Sequence, residues 1–78
     1  MLKRDEITNP KSCWNTANDD DYVFVLKMKD LTMPGTIRDW AARRIRMGLN
    51  KPQDEKITTA LQEAAEIERI QDERQTND

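Results

Sequence analysis

The residues of this chain best suited to ligand chemistry lie between positions 34 and 48, where a tryptophan and several arginines share one predicted helix. Arg44 follows Trp40 by four residues, so at about 100° per residue both side chains project from the same face. A guanidinium group binds phosphate through paired N–H donors, and an indole ring offers a flat surface for stacking. The pattern therefore favours recognition of a small anion that carries a planar ring.

Arg44 interrupts the apolar stripe of this helix, which is formed by Ile37, Trp40, Ala41 and Ile45. A lone charge at such a position is costly to bury unless it is paired. The arginine either extends to the rim or pairs with a carboxylate, or it faces a ligand. Both interpretations are open at this point.

The ligand hypothesis uses Arg44 as its anchor. Arg43 projects about 100° away from Arg44, so it contributes only if a second subunit brings it to the site. The arm and the first predicted helix supply two further aromatic groups for stacking. The predicted ligand-binding residues are Arg38, Trp40, Arg43, Arg44, Trp14 and Tyr22.

The residue types do not indicate an enzyme or a metal site. The chain has no histidine, and its one thiol, Cys13, lacks such a base to raise its thiolate fraction. Asp19, Asp20 and Asp21 lack the alternate ligands, glycine and distal glutamate of a calcium loop. We therefore expect a non-catalytic protein with no metal ligands and no cofactor.

The elements that position these residues are predicted to be helical. Pro34 and Gly48 mark the two ends of the central helix, since proline is tolerated in a first turn and glycine often ends a helix. Asp54 can cap a later helix that runs to about Arg74. The sequence predicts an all-α, small three-helix domain over residues 19–74, preceded by an extended N-terminal arm at 1–18 and followed by a frayed end at 75–78.

The first of the three predicted helices is contested. Asp19–Asp21 can cap a helix over residues 22–30, yet the apolar residues there alternate as in a half-buried strand. No second segment offers a pairing partner for such a strand. The alternative is therefore an α+β fold in which a short strand at 22–29 pairs across a dimer.

The hydrophobic content limits the class of protein to which this chain can belong. Only 36% of the 78 residues are hydrophobic, so one chain buries a thin core, and we expect a homo-oligomer. The start of the chain lacks a signal-peptide core and no run is long enough to cross a bilayer, which predicts a cytoplasmic protein without a membrane partner.

The charges are distributed unevenly. Residues 37–53 carry 5 basic and 1 acidic group, whereas residues 54–78 carry 3 basic and 8 acidic groups. The simplest consequence is that the acidic helix packs beside the basic one. Net charge is -2, which is unlike a general nucleic-acid binder, although a basic helix face could still meet phosphates.

A succession of residues over the first two thirds of the chain resembles a family of short, mostly uncharacterised proteins encoded by tailed phages and prophages. The matching positions are Ile7-Thr-Asn-Pro10, Ser12-Cys-Trp-Asn15, Ala17, Asp20-Asp21, Phe24-Val-Leu26, Asp30, Pro34, Ile37-Arg38 and Trp40. The resemblance brings no catalytic residues. It implies that the protein acts on a host system in an infected bacterium, where such proteins include inhibitors and sponges of defence signals.

Three functions follow as hypotheses. The first is a homo-oligomer that sequesters a small anionic, nucleotide-derived defence signal. The second is an inhibitor or adaptor that binds a host protein through a helix face or the acidic tail. The third, which the charge favours least, is a nucleic-acid-binding protein.

Overall fold

The computed structural model describes residues 1–76 and has an all-α fold, which confirms the predicted fold class. No strand occurs among these residues. None of the helices within them is long and apolar enough to cross a membrane. The four helices, in chain order, are α1 (Lys3–Thr8), α2 (Cys13–Thr16), α3 (Met33–Arg46) and α4 (Glu55–Thr76).

α3 has the ends that the sequence predicts. Pro34 lies in its first turn, where backbone N–H groups have no intrahelical acceptor, so the missing N–H of proline costs no hydrogen bond. Gly48 follows the helix at a φ of 75°, a conformation that disfavours residues with a Cβ. The N–H of Gly48 donates to the carbonyl of Ile45 at 3.0 Å, and that of Leu49 donates to the carbonyl of Arg44 at 3.0 Å. The chain thereby leaves the helix axis and turns back toward α4.

α3 and α4 pack against each other and form the core. Its fully enclosed members are Ala41, Ile57 and Ala64, which are 2%, 0% and 0% exposed. Two of these three are alanines, and small side chains let the helix axes approach closely. The hydrophobic interior is therefore thin, as the composition predicts, and among the described residues Ile57 is the one large side chain that is fully buried.

The predicted helix at 22–30 is wrong, since residues 22–27 have no regular secondary structure, and the alternative strand at 22–29 is not seen in the single chain. Asp21 does not cap a helix, because its carboxylate accepts from the N–H of Asn18 at 2.9 Å and closes a turn. The alternation of apolar residues also offers a helix no continuous stripe to bury.

The C-terminal end of this stretch, at residues 28 and 30, is hydrogen-bonded to α4. The side-chain amide of Gln71, which is 8% exposed, donates to the carbonyls of Met28 and Asp30 at 2.7 and 2.9 Å. Local sequence patterns do not predict a contact between residues that are more than forty positions apart.

The N-terminal arm at 1–18 is not extended as predicted, because it contains α1 and α2, which pack against each other. The Asn9-Pro10 turn reverses the chain between them and so allows that contact. The terminal amine of Met1 also pairs with Glu63 of α4 at 2.6 Å. At the other end, α4 continues to Thr76 within the segment predicted to fray, and residues 77 and 78 lie outside the described residues.

Candidate functional site

The candidate site is a cation held over an aromatic ring near the C-terminal end of α3. The guanidinium carbon of Arg44 lies 5.6 Å from the centroid of the Trp40 ring, which is within the range of a cation–π contact. The two residues meet because they are one helical turn apart. Trp40 is 38% exposed and Arg44 is half-buried, so the pair is accessible from solvent.

Arg44 also has a partner in the loop that follows. Its Nε–H donates to the side-chain oxygen of Asn50. Asn50 in turn donates to Asp54 at 3.0 Å, and Asp54 accepts a second bond from the N–H of Lys51 at 2.9 Å. The bonds from Asn50 and then from Lys51 hold the pKa of Asp54 below its ordinary value of 3.8. This chain of contacts, Arg44–Asn50–Asp54, fixes the turn between α3 and α4 and is termed the loop relay below.

The loop relay bears on the two interpretations of Arg44, a structural pairing or contact with a ligand, without fully deciding between them. It gives the arginine a structural partner, but that partner is a neutral amide. Among the described residues, no carboxylate lies within ion-pair distance of Arg44. Its positive charge is therefore not directly compensated, although Asp54 lies beyond Asn50.

Arg38 has a different environment. Its two terminal nitrogens donate to the two carboxylate oxygens of Glu68 on α4, at 2.8 and 3.2 Å. The same contact holds the pKa of Glu68 below its usual range, first through the hydrogen bond and then through the charge of Arg38. Arg38 thus joins the two long helices, and its charge is already neutralised.

The side chains of Arg43 and Arg46 are exposed and have no hydrogen bond or ion pair within the described part of the chain. With Arg44 they form the basic end of α3. Cations in a last turn also complement the negative end of a helix dipole, which is sufficient reason for their presence without a ligand.

The two remaining predicted site residues lie elsewhere. Trp14 is on α2, which packs against α1 rather than against α3 or α4, and it is 53% exposed. Tyr22 is fully exposed in the segment before α3. One chain therefore brings together only Trp40 and Arg44 of the six predicted residues.

Two residues of the site were missed by sequence reasoning. Asn50 has no place in any motif, and Asp54 was predicted only as a helix cap. The spacing contained a usable signal, because an amide and a carboxylate four residues apart, beginning two residues after a terminating glycine, can close a helix-to-helix turn.

The other chemically capable groups of the described residues do not form a site. Cys13 is a free, exposed thiol. Within residues 1–76, no cluster of three or more cysteine, aspartate or glutamate side chains could hold a metal ion.

No protein-family model, no curated protein and no solved structure matches the chain. The resemblance to phage-encoded proteins therefore remains an expectation that rests on the residue pattern alone.

Proposed function

We propose that this protein is a non-catalytic binder of a small anionic ligand with a planar ring, of the nucleotide type, and that it works as a homo-oligomer. The phage-like residue pattern suggests the setting, which is sequestration of a nucleotide-derived defence signal in the cytoplasm of an infected bacterium. The proposed binding surface is the Trp40–Arg44 pair near the C-terminal end of α3.

The observation that supports this proposal is the unneutralised guanidinium of Arg44 above Trp40. Arg38, on the same helix, provides a comparison, because it has a structural role and is paired in bidentate geometry with Glu68. Arg44 instead keeps its charge and presents it beside an accessible ring. A phosphate would supply the missing negative charge, and a base could stack on the exposed part of the indole.

A second copy of the chain completes the proposed site. Arg43 is one residue from Arg44 and projects in a different direction, and Trp14 lies on the separate α1–α2 unit. These groups reach a common ligand only if another subunit supplies them. Binding should therefore depend on the oligomer.

Calorimetry against a panel of cyclic and linear nucleotides tests the proposal. A charge-assisted bond to phosphate contributes about 1.5–3 kcal/mol, so Arg44→Ala should weaken binding by more than tenfold. Arg46→Ala, which removes an exposed arginine of the same helix end, should leave binding within a factor of about three.

Asn50→Ala separates a ligand role from a structural one. It breaks the loop relay but leaves the guanidinium of Arg44 in place. If Arg44 serves only the turn, Asn50→Ala and Arg44→Ala should lower stability alike, and no panel member should bind the wild-type protein. The proposal requires instead that Asn50→Ala retain binding that Arg44→Ala loses.

A further inference from the structure

The most exposed apolar part of the molecule is the stretch Tyr22–Val25, here called the apolar segment. Tyr22, Val23, Phe24 and Val25 are 104%, 53%, 84% and 67% exposed. Four consecutive large apolar side chains in water are unusual for a soluble chain, and such patches commonly mark an interaction surface.

The backbone of this segment is also unpartnered. Among the described residues, no N–H or carbonyl of residues 22–26 takes part in a hydrogen bond. The segment is nevertheless held at both ends: the N–H of Asp21 donates to Asn18 at 3.0 Å, and Gln71 binds the carbonyl of Met28. The N–H and carbonyl groups of this stretch are thus free to pair with another strand, and the turns on either side hold the stretch in position. An exposed edge strand offers the same groups to a pairing partner.

The residue types suit a strand more than any other element. Tyrosine, valine and phenylalanine are the side chains enriched in strands, and their alternation places Tyr22, Phe24 and Leu26 on one face. Val23 and Val25 fall on the other face.

The order of charges around the segment identifies the partner. Three aspartates precede it, Asp19–Asp21, and Lys27 and Lys29 follow it. If two copies run antiparallel with Phe24 opposite Phe24, Asp21 lies opposite Lys27. The same register places Asp19 opposite Lys29.

The apolar pairs fit this register as well. Tyr22 meets Leu26 at both ends, and Val23 meets Val25 on the other face. A parallel arrangement in register would instead place aspartate against aspartate and lysine against lysine, which is unfavourable. The segment is therefore complementary to itself in one direction only.

We infer that two copies of this protein associate through residues 21–27, which form an antiparallel two-stranded ribbon about a two-fold axis at Phe24. The inference does not depend on the proposed ligand, because none of these residues belongs to the loop relay or to the basic end of α3. It assigns the apolar segment to a second copy of the chain instead of to a host protein.

Light scattering after size exclusion tests the association itself. Over about 5 to 200 µM, the wild-type protein should change from the mass of one 9.2 kDa chain to twice that mass. A constant mass of one chain over this range would overturn the inference. So would a monomeric chain that captures a bacterial protein through the apolar segment.

Charge exchange tests the direction of pairing. Asp21→Lys and Lys27→Asp each set like charges opposite one another and should raise the dissociation constant by about tenfold. The double variant Asp21→Lys/Lys27→Asp exchanges the two partners and should return the constant to within about threefold of wild type. Circular dichroism at 222 nm shows whether each variant keeps its helices, and a folded double variant that stays dissociated contradicts the register.

Cross-linking tests the two-fold axis. With Cys13→Ser as background, Phe24→Cys places two thiols opposite each other, within the roughly 4.4–6.8 Å Cα separation of a disulfide. Glutathione disulfide as oxidant should then join the two chains covalently. Tyr22→Cys is the matched control, because its two copies lie four residues apart along the ribbon, about 13 Å at 3.3 Å per residue. Phe24→Cys should cross-link at least tenfold faster, and equal rates would contradict the register.

Discussion

Side-chain hydrogen bonds hold the N-terminal part of this protein together where apolar burial does not. Ser12 is 3% exposed, and its hydroxyl donates to the carbonyl of Glu6 at 2.5 Å while accepting from the N–H of Asn15 at 3.1 Å. The side-chain amide of Asn15 reaches the carbonyls of Glu6, Ile7 and Asn9 at 3.2, 2.7 and 2.8 Å. The serine at position 12 and the asparagine at position 15 are thus explained by the architecture of α1 and α2.

Asn15→Asp should loosen the α1–α2 unit, because it keeps the size of the side chain but replaces the donor with a carboxylate facing three carbonyl oxygens. The expected loss is about 1–3 kcal/mol in local opening, since unmet polar groups are costly. Hydrogen exchange at residues 5–17 measures this change.

The control for Asn15→Asp is exchange in α4, where amide protection should hardly change because α1 and α2 pack on each other and not on the long helices. A uniform loss of protection over the whole chain would show that the two parts unfold together.

Asp54 makes the turn between α3 and α4 sensitive to acid. Its pKa is lowered in the folded chain, so its contribution to stability is present above its ordinary value of 3.8 and is lost as the pH falls through the folded pKa. Asp54→Asn should remove this part of the pH dependence.

An NMR titration of the Asp54 carboxyl between about pH 2 and 6 checks this shift directly. Asn50→Ala should return the titration midpoint toward 3.8, because Asn50 is the largest cause of the shift. A wild-type midpoint at or above 3.8 would contradict the loop relay.

At the scale of elements, local signals were sufficient for the long helices and insufficient elsewhere. A proline near the start, a glycine after the end and an apolar stripe between them predicted α3. The apolar stripe that contains alanines predicted α4. Residues 22–30 could not be assigned correctly because their environment is set by Gln71, more than forty residues away. The arm failed for another reason: α1 and α2 are too short to show a helical period, and side-chain bonds define them.

The same distinction applies to the candidate site. The turn-to-turn spacing of Trp40 and Arg44 follows from the helix itself, so their contact could be predicted. Asn50 became part of the site only through the path of the loop. Trp14 and Tyr22 were grouped with Arg44 by residue type, which carries no information about position.

The α3–α4 pair depends on few buried side chains, so Ile57 should be its most sensitive position. Ile57→Ala removes a large, fully buried side chain and should lower the free energy of unfolding by about 2–4 kcal/mol. Leu61→Ala on the same helix, at a side chain that is 40% exposed, should cost less than about 1.5 kcal/mol.

Urea denaturation followed by circular dichroism compares the Ile57 and Leu61 variants. Equal losses of stability would mean that the exposed part of Leu61 is also covered, which would support burial of this side chain in an oligomer.

At the scale of the whole molecule, α4 connects parts that would otherwise be separate. Its Glu63 pairs with the terminal amine, its Glu68 with α3, and its Gln71 with the segment before α3. Ala64 lies in the core between these contacts. The acidic helix is therefore a structural element over most of its length, which restricts any role in binding a partner to its last residues.

Truncation of α4 at two points tests how far that structural role extends. A chain ending at Asp72 keeps Glu68, Ile70 and Gln71, and it loses the exposed pair between Arg69 and Glu73, so its unfolding free energy should fall by less than about 1 kcal/mol. A chain ending at Ile67 loses the salt bridge to α3 and the two hydrogen bonds that fix residues 28 and 30. It also loses the half-buried Ile70, and we expect it to be largely unfolded at 25 °C. Circular dichroism and urea titration of both chains measure the difference. If the chain ending at Ile67 folds as well as wild type, the contacts of Glu68 and Gln71 do not hold the molecule together, and the end of α4 is free for another role.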